Sequence, residues 1–212
     1  MSLYELKIQN LRKMYSRRII FSGVTIHFSK PGVYGIAGTN GSGKSTLVKI
    51  IAGLLIPSSG TITHILNGKN LPEDQSINLV GFSSPYLNFY EEFSALENMK
   101  MLTGIRGLVP DEDYLNKLFD HFHLADRKND PVKAYSSGMK QRLRLIFAFF
   151  HNPRLVILDE PVSNLDNSGK EQIYRLVNQK QTESIILIAS NDDSDLALCE
   201  QVTNIEEFKE TQ

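Results

Sequence analysis

Gly38-Thr39-Asn40-Gly41-Ser42-Gly43-Lys44-Ser45 is the stretch on which the fold turns. It fits G-x-x-x-x-G-K-[ST] in full, between a strand pattern over Gly32 to Ile36 and a helix pattern over Lys44 to Leu55. Small residues let successive backbone N–H groups turn inward around phosphate oxygens, and the helix they open presents its positive end to the same anion. Lys44 is then expected to bridge β- and γ-phosphates, Ser45 to ligate Mg²⁺ through its hydroxyl, and Thr46 to contact the α-phosphate. Strand, glycine-rich loop and helix in this order are the opening of an α/β nucleotide-binding fold.

On the N-terminal side the chain is β-rich, with strands expected at Leu3 to Ile8 and Ile19 to Phe28, the latter alternating at Val24, Ile26 and Phe28. Beyond the helix, Pro57-Ser58-Ser59-Gly60 makes a turn. Thr61 to Leu66 and Asn78 to Phe82 read as two further strands around Asn67-Gly68. From Glu91 to His151 the pattern is mostly helical, which places a helical insertion near 88–140. The strand-and-helix alternation then returns: Leu155 to Leu158, a helix over 167–180, Ile185 to Ala189 and a last helix around Ser194 to Cys199. Short, wholly apolar strands imply a parallel sheet covered on both faces.

The strand Leu155 to Leu158 ends in Asp159-Glu160-Pro161, so two acids emerge at the carboxyl end of a buried strand, where open α/β sheets bind ligands. Asp159 is suited to hold Mg²⁺ through water and Glu160 to orient or deprotonate an attacking water. Ser136 or Ser137 is an apt N-cap for the helix that follows Tyr135-Ser136-Ser137-Gly138-Met139. Lys140 and Arg142 in its first turn run against the helix dipole; they either face solvent or meet an anion at that end.

Composition bounds the alternatives. The 212 residues suffice for one compact domain, and 41% hydrophobic with 22% charged residues excludes disordered and low-complexity classes. Lys plus Arg number 23 against 24 acids, a net charge of -1, with no block of five like charges, so no nucleic-acid partner is expected. The lone Cys199 makes neither an internal disulfide nor a cysteine-built metal site, which fits a reducing compartment. No apolar run approaches the roughly 20 residues a membrane helix needs. Met1 to Lys7 lacks the pattern of a secretion signal, so a cytoplasmic location is expected.

Taken together, the phosphate loop, Tyr135-Ser136-Ser137-Gly138-Met139-Lys140-Gln141-Arg142, Leu158-Asp159-Glu160-Pro161 and Ser163-Asn164-Leu165-Asp166, in this order and spacing, resemble the ABC ATPase family along nearly the whole chain. The resemblance implies a P-loop NTPase with a RecA-like core, an antiparallel β subdomain and a helical subdomain, spanning 1–212. It implies ATP and Mg²⁺ as cofactors, bound by Gly38, Thr39, Asn40, Gly41, Ser42, Gly43, Lys44, Ser45 and Thr46. Tyr15 resembles the aromatic residue that stacks on adenine, beside the plainer reading of a half-buried strand tyrosine. Ser136, Ser137 and Gly138 would clamp the γ-phosphate held by a second subunit, and Ser163 to Asp166 would sit at the dimer seam. The implied partners are a second copy or a paired ABC ATPase, and integral membrane transporter subunits docked through Tyr86 to Asn98. The implied location is peripheral, on the inner face of the cell membrane. The chain stops soon after the final helix, so no C-terminal regulatory domain is expected, as in small export-type subunits.

Five positions depart from the family: the signature has Tyr135, Ser137 and Met139 where Leu, Gly and Gln are commoner, and two departures lie at the site of chemistry. The Gln that usually follows the strand ending near Phe82 aligns with Pro85, which has no side-chain polar group, and the usual His after Ile185 to Ala189 is Asn191. Asn191 donates a neutral hydrogen bond but carries no positive charge, so slow turnover is expected, with Lys44, Glu160 and Asn191 as the catalytic set. A soluble ABC ATPase and a weakly hydrolysing nucleotide switch stand as alternatives to a transporter subunit. Lys44 and Ser136 are only 92 residues apart, which leaves no room for the long coiled coil of genome-maintenance members.

Overall fold

The computed structural model describes residues 3–109 and 111–209; Met1, Ser2, Pro110 and Glu210 to Gln212 of the expected 1–212 domain lie outside the described residues. Strands β1 (Tyr4–Tyr15) and β2 (Arg18–Phe28) form an antiparallel hairpin. β3 (Gly32–Ala37) leads through the phosphate loop into α1 (Lys44–Ile51), and β4 (Ser59–Leu66) returns to pair with β1. β5 (Lys69–Asn70), α2 (Glu73–Ser76) and β6 (Val80–Ser83) follow. The helices α3 (Ala95–Arg106), α4 (Glu112–His121) and α5 (Ser137–Phe149) come next. β7 (Leu155–Asp159), α6 (Asn167–Lys180), β8 (Ile185–Ala189), α7 (Asp193–Leu196) and β9 (Gln201–Asn204) complete the order.

The strands make two sheets, an antiparallel one ordered β2-β1-β4-β5 and a parallel one ordered β6-β7-β8-β3-β9. Period-two alternation in the parallel strands divides the core. Leu155, Ile157, Ile185 and Leu187 face α1 and the antiparallel sheet, while Val156, Leu158, Ile186 and Ile188 face the helical side with Phe119, Phe122, Phe149 and Phe150. This is the expected α/β architecture with an antiparallel β part and a helical part.

Local chemistry sets the element ends. α3 opens on a capping box: the Ser94 hydroxyl accepts from the Glu97 N–H at 3.2 Å and the Glu97 carboxylate accepts from the Ser94 N–H at 2.7 Å. Asp111 caps α4 through the Tyr114 N–H at 3.0 Å. Gly81 allows β6 to press against α5, since a Cβ there would stand 1.8 Å from the Ala148 carbonyl oxygen.

Four expectations change. β1 runs on to Tyr15, past irregularities in its pairing that the apolar pattern hides. Asn67-Gly68 does turn a hairpin, but β4 pairs with the two-residue β5, and Pro72 follows at once. The segment expected at 78–82 is β6, which belongs to the parallel sheet beside β7. Helix α1 ends at Ile51, and Leu54 lies exposed beyond it. β9 is an addition: a short edge strand whose one apolar residue is Val202, it gives little apolar signal.

Candidate nucleotide site

Parallel register sets the carboxyl ends of four strands in a row. Asp159 stands opposite Ala189, Ile36 opposite the same Ala189, and Ser83 opposite Leu158. The phosphate loop, Ser84, Glu160 and Ser190 therefore all leave the sheet on one edge, where order reverses around β3. Gly43 opens α1 at φ 115°, a conformation disfavoured for a side chain, and a Cβ there would lie 2.7 Å from Ile20 Cγ2 of β2. The β1–β2 hairpin thus backs directly onto the loop.

Lys44 is 5% exposed, and its Nζ donates to the carbonyls of Gly38 at 2.8 Å and Thr39 at 3.3 Å, and lies 3.5 Å from Glu160 Oε1. The Ser45 hydroxyl donates to Asp159 Oδ1 at 2.9 Å. Asp159 has no exposed surface; burial pushes its carboxyl up, opposed by hydrogen bonds from Ser45 and Ser84 and by the charges of Lys49 and Lys44. Burial also pushes Glu160 up, opposed by Lys44 and reinforced by Asp159 and Asp195. Glu160 sits in the left-handed region at φ 47°, held by its N–H to the Ala189 carbonyl at 2.8 Å. A partly exposed carboxyl beside a fixed ammonium, with proton affinity raised by burial, suits the orientation and deprotonation of water.

Among the described residues no cluster of three His, Cys, Asp or Glu side chains is arranged to hold a metal. A cation here has to take its ligands from a hydroxyl, a carboxylate and a bound phosphate. Ser45 and Asp159 offer such an all-oxygen set within 2.9 Å of each other, which fits Mg²⁺.

Asn191 is joined to the loop: its Nδ2 donates to Asn40 Oδ1 at 3.2 Å. Behind Glu160 lies a polar cluster that sequence reading missed. The Ser190 hydroxyl donates to buried Asp195 at 2.7 Å and lies 3.5 Å from Glu160 Oε2, and the Tyr174 hydroxyl donates to Asp195 at 2.9 Å. Its members come from α6, the residue just after β8, and α7, so no local motif marks them. Glu206 was missed as well; its carboxylate accepts from the Thr39 hydroxyl at 2.5 Å.

Tyr15 ends β1 with its ring 48% exposed and Lys13 Nζ 4.8 Å from the ring centroid. It makes no hydrogen bond to the phosphate loop among the described residues. Ser136 is the N-cap of α5, accepting from the Met139 N–H at 3.2 Å, which settles the choice between Ser136 and Ser137. Lys140 and Arg142 are each ion-paired: Lys140 with Glu91 at 2.5 Å and Arg142 with Asp166 at 3.4 Å. Gly138 leaves a Cβ-sized space 3.6 Å from the Asn164 carbonyl, so the segments 136–142 and 163–166 pack together. No hydrogen bond or ion pair joins Ser136, Ser137 or Gly138 to residues 38–46 among the described residues. From α5, Gln141 reaches the Pro161 carbonyl at 2.9 Å, while Arg144 holds both the Leu87 carbonyl at 2.8 Å and Gln141 Oε1 at 3.2 Å.

Fold and loop define a P-loop nucleotide-binding domain. A sequence profile of the ABC transporter family matches residues 21–163. The lantibiotic transport ATP-binding protein SrtF of Streptococcus pyogenes is 34% identical over 186 residues, 88% of this chain and 79% of that protein. The bacitracin transport ATP-binding protein BcrA of Enterococcus faecalis is 32% identical over 206 residues, 95% of this chain and 65% of its own length. The structure of an ATP-binding subunit of an ABC transporter superposes with a TM-score of 0.82 at 26% identity, covering 96% of this chain and 87% of that one. A dimeric ATP-binding cassette bound to ADP and Pi shares the fold at a TM-score of 0.83 and 21% identity, covering 98% and 97%. The chain belongs to the ABC transporter family, among its ATP-binding, ATP-hydrolysing subunits. No helix of the described residues is long and apolar enough to cross a membrane.

Proposed function

We propose that this chain binds Mg²⁺-ATP on Gly38 to Thr46 and hydrolyses it slowly. We further propose that it closes head-to-tail on a second ATPase subunit to drive membrane subunits. The observation that carries this reading is the convergence of Lys44, Ser45, Asp159 and Glu160 within hydrogen-bonding or ion-pair distance at one sheet edge. Tyr15 takes the adenine, and Ser136 to Gly138 meet the γ-phosphate of the partner subunit. Bound Mg²⁺ supplies neutralisation of the phosphate charge; Glu160 takes the proton of the attacking water. The domain is taken as 1–212 with its helical part about 88–140, working on the inner face of the membrane.

The groove between core and helical part supports membrane docking. It encloses about 220 Å³, lined by Leu54, Phe89, Tyr90, Met101 and Ile105 among others. Its rim is built by buried Asn98, which accepts from the Tyr90 N–H at 2.9 Å and donates to the Tyr90 carbonyl at 3.0 Å. Tyr90, Ile105 and Leu54 remain exposed, an apolar face suited to a short helix from a membrane subunit. The test is co-sedimentation with membranes carrying the transporter. Replacing an exposed aromatic anchor by a charge, Tyr90→Asp, is expected to weaken recovery by about 30-fold, the equivalent of about 2 kcal/mol, with ATP affinity unchanged. Recovery equal to wild type would favour the soluble reading.

The slow-turnover reading rests on Asn191, whose neutral amide is spent partly on Asn40. Removing one preorganised donor from a developing oxyanion costs about 10²- to 10³-fold in rate. Asn191→His is accordingly expected to raise kcat by about 10-fold or more with KM little changed, because the phosphate loop holds the ground state. Steady-state ATPase assays check it; an unchanged or lower kcat refutes this account of Asn191.

A further inference from the structure

Pro85 has no polar side-chain group to offer, but the residue before it reaches the site. Ser84 leaves β6 beside the end of β7, and its hydroxyl donates to Asp159 Oδ2 at 3.1 Å while Ser45 donates to Oδ1 at 2.9 Å. Each carboxylate oxygen is therefore held by one hydroxyl. The Ser84 oxygen also accepts from the Tyr86 N–H at 3.4 Å, and its carbonyl accepts from the Leu87 N–H at 3.0 Å. With an acceptor on one side and a donor on the other, the hydroxyl has its proton directed at Asp159. Ser84 is 1% exposed, so water has no access to replace it. Ser83 next to it is equally buried, yet its hydroxyl finds no partner among the described residues, so the contact at 84 is not a general property of this strand end.

We propose that Ser84 is a positioning residue for the divalent cation, fixing the rotation of the Asp159 carboxylate so that Oδ1, shared with Ser45, faces the metal. This rests on the reading that Ser45 and Asp159 hold Mg²⁺ against bound ATP. Ser84 touches neither nucleotide nor metal; it acts through Asp159, and it gives the loop after β6 a polar hold on the site despite Pro85.

The experiment measures Mn²⁺ uptake by electron paramagnetic resonance, with the protein saturated by a non-hydrolysable ATP analogue. Metal-free affinity for the same analogue is measured in parallel in EDTA. Ser84→Ala and the near-isosteric, weakly donating Ser84→Cys are expected to weaken Mn²⁺ binding by about 10- to 100-fold, and Ser84→Thr, which keeps the hydroxyl, by less than about 3-fold. Metal-free nucleotide affinity stays at the wild-type level in all three, which also reports that they fold. Wild-type Mn²⁺ affinity in both Ser84→Ala and Ser84→Cys would overturn the proposal, and so would a parallel fall in metal-free nucleotide affinity, the mark of a purely structural role. Failure of the underlying reading looks different: the wild-type protein itself would take up no Mn²⁺ with the analogue.

Discussion

Lys44→Ala is expected to abolish nucleotide retention. Lys44 is a buried ammonium whose donors lie against the carbonyls of Gly38 and Thr39, at the mouth of a loop built to surround phosphate. Charge-assisted hydrogen bonds to a charged group contribute about 1.5 to 3 kcal/mol each. Loss of contacts to both β- and γ-phosphates therefore weakens ATP by about 10²- to 10⁴-fold. Equilibrium titration with a fluorescent ATP analogue reads this directly. Unchanged affinity would remove the phosphate loop from the nucleotide site.

Glu160→Gln separates binding from chemistry. The amide matches the carboxylate in size, but it cannot take a proton and loses the ionic part of the contact with Lys44. General-base catalysis contributes about 10²- to 10⁴-fold, so kcat is expected to fall by that factor with ATP affinity retained. Closed ATP-bound pairs then accumulate, and light scattering in saturating Mg²⁺-ATP should report twice the monomer mass. A variant that stays monomeric under these conditions, or hydrolyses at the wild-type rate, would contradict the composite site and the role of Glu160 respectively.

The parts of the site legible in the sequence are those written locally. Gly38 to Ser45 and Asp159-Glu160 announce themselves because loop chemistry and a strand exit are contiguous in the chain. The helix over 167–180 and the strand at Ile185 to Ala189 coincide with α6 and β8 because their apolar spacing is unbroken. What escaped notice depends on which strand lies beside which. Ser84 looks like an ordinary loop serine until the parallel pairing of β6 with β7 sets it against Asp159. The apolar pattern at 78–82 fits a hairpin partner for β4 equally well, and an antiparallel strand there would carry Ser84 away from the site. Asp195 and Tyr174 are 21 residues apart in sequence and meet only once α6 and α7 are packed on the sheet.

The reach of α5 has a mechanical consequence. Arg144 grips the Leu87 carbonyl of the groove loop and Gln141 grips the carbonyl of Pro161, the residue after Glu160, while the two side chains also bind each other within one helical turn. A helix turn is stiff, so the Leu87 and Pro161 carbonyls do not move as independent bodies. If a segment docks at the groove as proposed, the free energy it spends in shifting Leu87 would act through this turn as a bias on the orientation of Glu160. By thermodynamic reciprocity, a nucleotide state that reoriented Glu160 would then alter affinity at the groove by the same factor.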